Sequence, residues 1–406
     1  MKVSIPLTKV LHASSIGTHH LRSRDSQHPL TDSPHDVITS ELIPVRVGFT
    51  NVLYAVNISI GNPPQVFRAV LDFGDSELVI PSIQTPGKPE DPVPNRYNHF
   101  LSETYRQNGT QVQASQLWGA YEGYLSQDDF HLSYVQIPDM LFQEAPEMRH
   151  RQECGGMCDL PYDTVFPLAP YNASYEHNFM SPLAHLVQNE VLEDNIFSLR
   201  LSHGPTDDSG WLLLGTRPSP EDGYDPDDSF KTIQTSDLPV PELPYFTPHQ
   251  PPVNAKVDRW KFQIDSFSFG DYSNIHKEYT KPTVAVVEVF QPFISVPNTL
   301  FEAINEVLGA DTWGSMAWFN CSIRDKLPDV TIVLAGEEFV LTAYDYSLEQ
   351  WDDDNLKGRM YCMSAFLPVL EEDQEMVLLG SAFMKPLITV WDLEERTMSY
   401  VKAKQT

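Results

Sequence analysis

Residues 69 to 82 read Ala-Val-Leu-Asp-Phe-Gly-Asp-Ser-Glu-Leu-Val-Ile-Pro-Ser, and residues 285 to 298 read Ala-Val-Val-Glu-Val-Phe-Gln-Pro-Phe-Ile-Ser-Val-Pro-Asn. The two segments align without a gap. Each is an apolar, β-branched strand (Val70-Leu71, Val286-Val287) that ends on one carboxylate, Asp72 or Glu288, and is followed by a second hydrophobic run closed by proline. The two acids lie 216 positions apart, about half of the 406-residue chain. A strand, carboxylate and turn repeated once per half is what a two-lobed protein needs to bring two acids together across a pseudo-twofold cleft. Such a pair suits general acid/base chemistry on a shared water.

The length accommodates two domains, each with its own core. A hydrophobic content of 41% and 33 prolines fit a strand- and turn-rich globular protein. The formal charge of −29 makes nucleic acid and anionic membranes poor partners. Self-repulsion falls as carboxylates protonate, which suits an acidic environment, although the same acidity also serves plain solubility. The four cysteines form two local candidates, Cys154 with Cys158 and Cys321 with Cys362. An even count together with sequons at Asn57, Asn108, Asn172 and Asn320 points to the oxidising secretory route. Cys154 and Cys158 lack a second ligand pair at zinc spacing, so no metal is expected. No apolar run is long enough to span a bilayer. Residues Met1 to Val10 carry no signal-peptide core, so either an export signal is missing from the sequence or the protein is intracellular.

Residues 1–44 are rich in His, Ser and Asp and read as a leader. From Tyr54 the pattern is strands: Tyr54 to Ile60 alternates, Gly61-Asn62-Pro63-Pro64 turns, and Val66 to Leu71 runs into Asp72. Helical periodicity is confined to short segments, clearest at Pro182 to Glu190 and at Thr299 to Leu308 before Gly309. Residues 217–252, dense in Pro and Asp, read as a surface loop and lobe connection. The expected class is all-β with a few short helices, divided into an N-terminal lobe over 45–235 and a C-terminal lobe over 236–406.

These landmarks, in order, resemble the pepsin-like aspartic peptidases over nearly the whole chain. Tyr54 to Gln65 precedes the first acid, and Trp260 with Ile264-Asp265-Ser266 precedes the second. Then come Cys321, Leu327-Pro328-Asp329-Val330, Cys362, Val377-Leu378-Leu379-Gly380-Ser381-Ala382-Phe383 and Val390-Trp391-Asp392. The resemblance implies a bilobal acid-protease fold with Asp72 and Glu288 at the dyad positions, no cofactor, and a peptide or protein ligand in the interlobe cleft of a monomer. It also implies pairing of Cys321 with Cys362, beside a bridge from Cys154 to Cys158. Ile5 to Val10 is similar to the start of the family's propeptide, which normally follows a signal peptide, and so favours a secreted or vacuolar location. The competing string Asp72-Phe73-Gly74 has the letters of the kinase magnesium motif, but no glycine-rich phosphate loop, lysine strand or His-Arg-Asp loop precedes it.

The chain departs from the family at its catalytic positions. Asp72 and Gly74 are kept, but Phe73 stands where a threonine is expected and Asp75 where a serine supports the carboxylate. A second acid there would raise the dyad's pKa. Glu288 is one methylene longer than aspartate. Val289, Phe290 and Gln291 replace threonine, glycine and threonine, so a changed backbone path is expected in that turn. In Asp163 to Ala169, Pro167 stands at a glycine and removes a backbone donor. The flap, Gln116 to Gly123, is either two residues shorter with Trp118 in the tyrosine place, or unshortened with Gln116 there. Trp118 and Tyr121 either close over a peptide or are ordinary hairpin packing. The expectation is a catalytically impaired homologue whose cleft binds an extended ligand. Its alternative is an acid endopeptidase using an unusual Asp72/Glu288 pair.

Overall fold

The computed structural model describes residues 38–47, 50–74, 77–83, 95–116, 119–150, 162–170, 181–192, 194–202, 210–239, 259–350, 361–368 and 376–404. The chain is mostly β and takes up the bilobal pepsin-like architecture. One large sheet is built from strands between Ile43 and Pro167 and a second from strands between Lys261 and Leu379, and a six-stranded sheet holds strands of both halves.

The sequence duplication is repeated in the topology. Thr50–Ile60 and Gln65–Asp72 form an antiparallel pair, as do Lys261–Phe269 and His276–Val287. The strand that ends at Asp72 then pairs in parallel with Thr164–Pro167, and the strand that leads to Glu288 pairs in parallel with Met376–Leu379. The short runs after the two acids match as well. Val79–Pro81 pairs in parallel with residues 143–145, and Ile294–Val296 pairs in parallel with Phe366–Pro368. Both acid-bearing strands are largely exposed or half-buried at their outer ends and become wholly buried over their last residues. That change marks the passage from a half-solvated antiparallel ladder into parallel pairing with both faces covered. Pro167 is accommodated at the last ladder position, opposite Asp72, where the next residue, Leu168, donates its N–H to Asp72 O at 2.7 Å.

The six-stranded sheet runs Ile38–Glu41, Trp211–Leu214, Ile196–Arg200, Leu387–Asp392, Thr397–Lys402 and Lys231–Gln234. Ile196–Arg200 against Leu387–Asp392 and Lys231–Gln234 against Thr397–Lys402 are its two seams between halves. Two of its strands lie where the sequence suggests none. Ile38–Glu41 falls within the leader read from the sequence but is fully paired with Trp211–Leu214, and the following Leu42 is buried. Lys231–Gln234 falls within the expected surface connection, where only Ile233 faces inward. A strand with a single buried side chain carries too little period-2 signal to stand out among prolines and aspartates.

Both expected helices form. Pro182–Gln188 is capped by the Ser181 hydroxyl, which accepts from Ala184 N at 3.1 Å with proline in the first turn. Asn298–Leu308 ends at Gly309 in the left-handed region, φ 58°.

Cys321 and Cys362 are bridged, as the resemblance implies, with Cα atoms 5.1 Å apart and 41 residues of separation. Cys154 and Cys158 lie outside the described residues. Replacing Cys321 and Cys362 together by serine should lower stability by about 2–4 kcal/mol, because a loop of this length is released in the unfolded chain. Urea unfolding would register this as a fall in midpoint, and an unchanged midpoint would show that the bridge constrains nothing.

Candidate functional site

The two parallel pairings carry Asp72 and Glu288 to the middle of the molecule, where both are buried. Each is followed by a turn whose second residue donates its backbone N–H back to the carboxylate. Gly74 N to Asp72 Oδ1 is 2.5 Å, and Phe290 N to Glu288 Oε1 is 3.2 Å. The turn after Glu288 therefore keeps the local hydrogen bond of its counterpart, although its residues led to the expectation of a changed path. An N–H to carboxylate contact needs no particular side chain at position 290, so phenylalanine supplies it as well as glycine. The loop that follows is held by Gly380, whose N–H reaches Phe293 O at 2.8 Å. A Cβ on Gly380 would lie 2.4 Å from Gln291 O and from Phe293 O, so only glycine admits this approach.

The extra methylene of Glu288 has a definite use. It takes Oε1 across the interface to the first half, where Phe73 N donates at 3.0 Å. Phe73, the residue without the expected hydroxyl, is itself a core residue. Its ring lies edge-on to Trp391 at 4.8 Å and to Phe197 at 5.7 Å, and Trp260 joins the same cluster at 5.0 Å from Trp391. Phe290 packs edge-on against Tyr162 at 6.1 Å. The two halves are joined here by aromatic packing and one long carboxylate.

The sequence reading overlooked Arg259. Its guanidinium is almost entirely buried, with Nη1 3.7 Å from Glu288 Oε2. The position is fixed by its neighbour Trp260, whose Nε1–H donates to Leu168 O at 3.0 Å and whose carbonyl accepts from Val287 N at 2.9 Å. Gly74 lies against this pair: a Cβ built there would be 2.5 Å from Arg259 Nη1 and 3.0 Å from Glu288 Oε2. The only sequence signal was a cation immediately before the landmark tryptophan. Burial pushes the Glu288 carboxyl above its ordinary pKa, while Arg259 and the N–H groups of Phe73, Phe290 and Val289 pull it part of the way back.

Of the other residues singled out, Tyr121 is half-buried and packs on Val79 and Ala145. The flap hairpin is present as Arg106–Gln116 against Gly119–Leu132, with Gln116 opposite Gly119. Its tip, including Trp118, lies outside the described residues, as do Asp75 and Asn172. Asn57, Asn108 and Asn320 are exposed. Asn108 Oδ1 accepts from Thr110 Oγ1 at 2.6 Å and from Thr110 N at 3.2 Å. Among the described residues no cluster of His, Cys, Asp and Glu is arranged to hold a metal ion. None of their helices is long and apolar enough to cross a membrane.

Two pseudo-twofold halves, each delivering one acid to a common interface, define the acid-protease architecture. The eukaryotic aspartyl protease family matches residues 53–403, and the chain belongs to that family. It is similar to the vacuolar aspartic protease of Candida albicans, with 28% identity over 366 residues covering 88% of this chain and 76% of that one. It is similar also to the probable vacuolar protease A of Trichophyton verrucosum, 27% identical over 409 aligned positions that cover 96% and 89% of the two chains. Cathepsin D of Dictyostelium discoideum is 28% identical over 362 residues, covering 88% and 85%.

A carboxyl whose pKa is raised by folding holds its proton more tightly in the folded state, so its contribution to stability is largest in acid and declines as pH rises. Glu288→Gln is neutral at every pH and removes that decline. Its stability relative to the unmodified chain should therefore improve as pH rises above the ordinary glutamate value of 4.5. Parallel stability curves in urea would show that Glu288 titrates like an exposed glutamate.

Gly74→Ala should push the Arg259 guanidinium off Glu288, at a cost on the order of 1–3 kcal/mol. The same change made in Arg259→Ala should cost distinctly less, since the two positions share one space. Equal costs in both backgrounds would contradict the contact.

Proposed function

We propose that this chain is a catalytically impaired aspartic protease homologue that holds an extended, peptide-like ligand in its interlobe cleft. One observation carries this reading: Glu288 Oε1 accepts from Phe73 N and Phe290 N, donors from opposite halves. A carboxylate oxygen has two lone-pair directions, and both are used here. The other oxygen faces a guanidinium. Peptide hydrolysis by paired carboxylates requires both to hold one water and share its proton. An acid spent on backbone donors and a fixed cation is poorly placed for that, and a displacement of about 1 Å already costs on the order of 10²-fold in rate. The bilobal fold is kept, which supports retained ligand binding; of the residues assigned to it, Tyr121 is half-buried, Gly74 lies against Arg259, and Trp118 falls outside the described residues.

A vacuolar or secretory location is the second part of the proposal. Its support is the naming of relatives as vacuolar proteases, the Cys321–Cys362 bridge and exposed sequons at Asn57, Asn108 and Asn320, which would carry glycans.

The alternative, an acid endopeptidase using Asp72 and Glu288, is favoured by the burial of both acids and the matching N–H contacts at each. Purified chain incubated with an unfolded protein substrate between about pH 3 and 6, where a carboxylate pair shares a proton, separates the two. The expected result is no pepstatin-sensitive cleavage, with peptide ligands still raising the melting temperature. Turnover by the unmodified chain, abolished by Asp72→Asn and by Glu288→Gln separately, would establish the active pair instead.

A further inference from the structure

The space between the two acid-bearing turns is occupied from within the chain. Arg259 Nη1 lies 3.7 Å from Glu288 Oε2 and directly over Gly74, whose missing side chain leaves the gap that the guanidinium fills. Gly74 N in turn holds Asp72 Oδ1. The backbone on either side of this space is fixed: Trp260 anchors Arg259 to Leu168 O, and Phe73 is anchored by the aromatic cluster around Trp391. Glu288, a glycine floor and rigid walls form a receptor for a flat cation, and arginine's planar fork matches it better than a round ammonium would.

We propose that Glu288 and the floor at Gly74 form a guanidinium-binding site which the chain fills with its own Arg259. The site is thus a cation receptor where a catalytic pair would hold a water. The inference rests on the non-catalytic reading above and adds the chemical class of the group that Glu288 binds. It also gives Gly74 a different purpose: it makes room for an internal side chain. Arg259 acts here as a positioning residue, holding Glu288 in the geometry that reaches Phe73 N.

Removal of the internal occupant tests this. Arg259→Ala in the full chain should unfold at a lower temperature than the unmodified protein near neutral pH, and millimolar methylguanidinium should restore the midpoint in a saturable way. The same additive should have no saturable effect on the unmodified protein, whose site is filled. In Arg259→Ala/Glu288→Gln its apparent affinity should fall at least ~10-fold, as expected when the charged acceptor is lost. Methylammonium should restore the midpoint less well, because it lacks the fork. Equal responses with and without Glu288, or no response in Arg259→Ala, would overturn the proposal. Should Arg259→Ala not accumulate as folded protein, the coupling is read from Arg259→Lys, Glu288→Gln and their combination by urea unfolding. Losses smaller in combination than in sum support the pair, and additive losses overturn it. Proteolytic turnover by the unmodified chain would strike the non-catalytic reading, whereas failed rescue strikes only the assignment of Arg259.

Discussion

The hydrogen bond from Phe73 N to Glu288 Oε1 joins the two halves at their centre, and the site around it is arranged to make that bond sustainable. A buried carboxylate loses its hydration and must recover it from fixed donors and opposite charge. Here the donors are the N–H groups of Phe73 and Phe290, and the charge is Arg259. Each donor is held independently. Phe73 is locked by Trp391 and Phe197, Phe290 by Tyr162, and Arg259 by the indole of Trp260. The aromatic cluster thereby does more than fill space, since it sets the distance over which the carboxylate must reach.

The duplication explains why the halves still match in topology after their sequences have drifted. Antiparallel hairpin, parallel partner and short parallel run recur around Asp72 and around Glu288 because each step buries a strand that cannot face water. Main-chain geometry tolerates exchange of the side chains as long as the apolar periodicity survives. The N–H contact at the second residue of each turn is a case in point, made by glycine on one side and phenylalanine on the other.

How much was legible in the sequence follows the same line. The acid-bearing strands, the two helices and the Cys321–Cys362 pair are visible because hydrophobic period, capping residues and ordered landmarks are local signals. Lys231–Gln234 was hidden because it buries a single side chain, and Ile38–Glu41, like it, draws its order from a partner far along the chain. Arg259 was hidden for a different reason. A cation's role depends on what its side chain reaches three-dimensionally, and nothing in the neighbouring residues distinguishes an arginine aimed at Glu288 from one aimed at solvent. Asp72 and Glu288 could be named as counterparts from the repeat, but the direction in which the longer acid turns is set by Phe73 and its cluster, a contact across 215 residues.

That direction makes the two possible uses of Glu288 compete. As a clasp, its carboxylate must extend to the first half and saturate one oxygen with backbone donors; as a hydrolytic base, it must stand back and leave an oxygen for water. An aspartate at 288 would end one carbon short of Phe73 N, so shortening the acid would break the clasp before it rebuilt a pair. Phe73 constrains the choice further, since a threonine in its place would supply a hydroxyl but empty the ring's position against Trp391 and Phe197, leaving a cavity of the kind that costs several kcal/mol. Phe73, Glu288 and the aromatic cluster are thus mutually dependent, and exchange of one at a time is opposed by the contacts that the others provide.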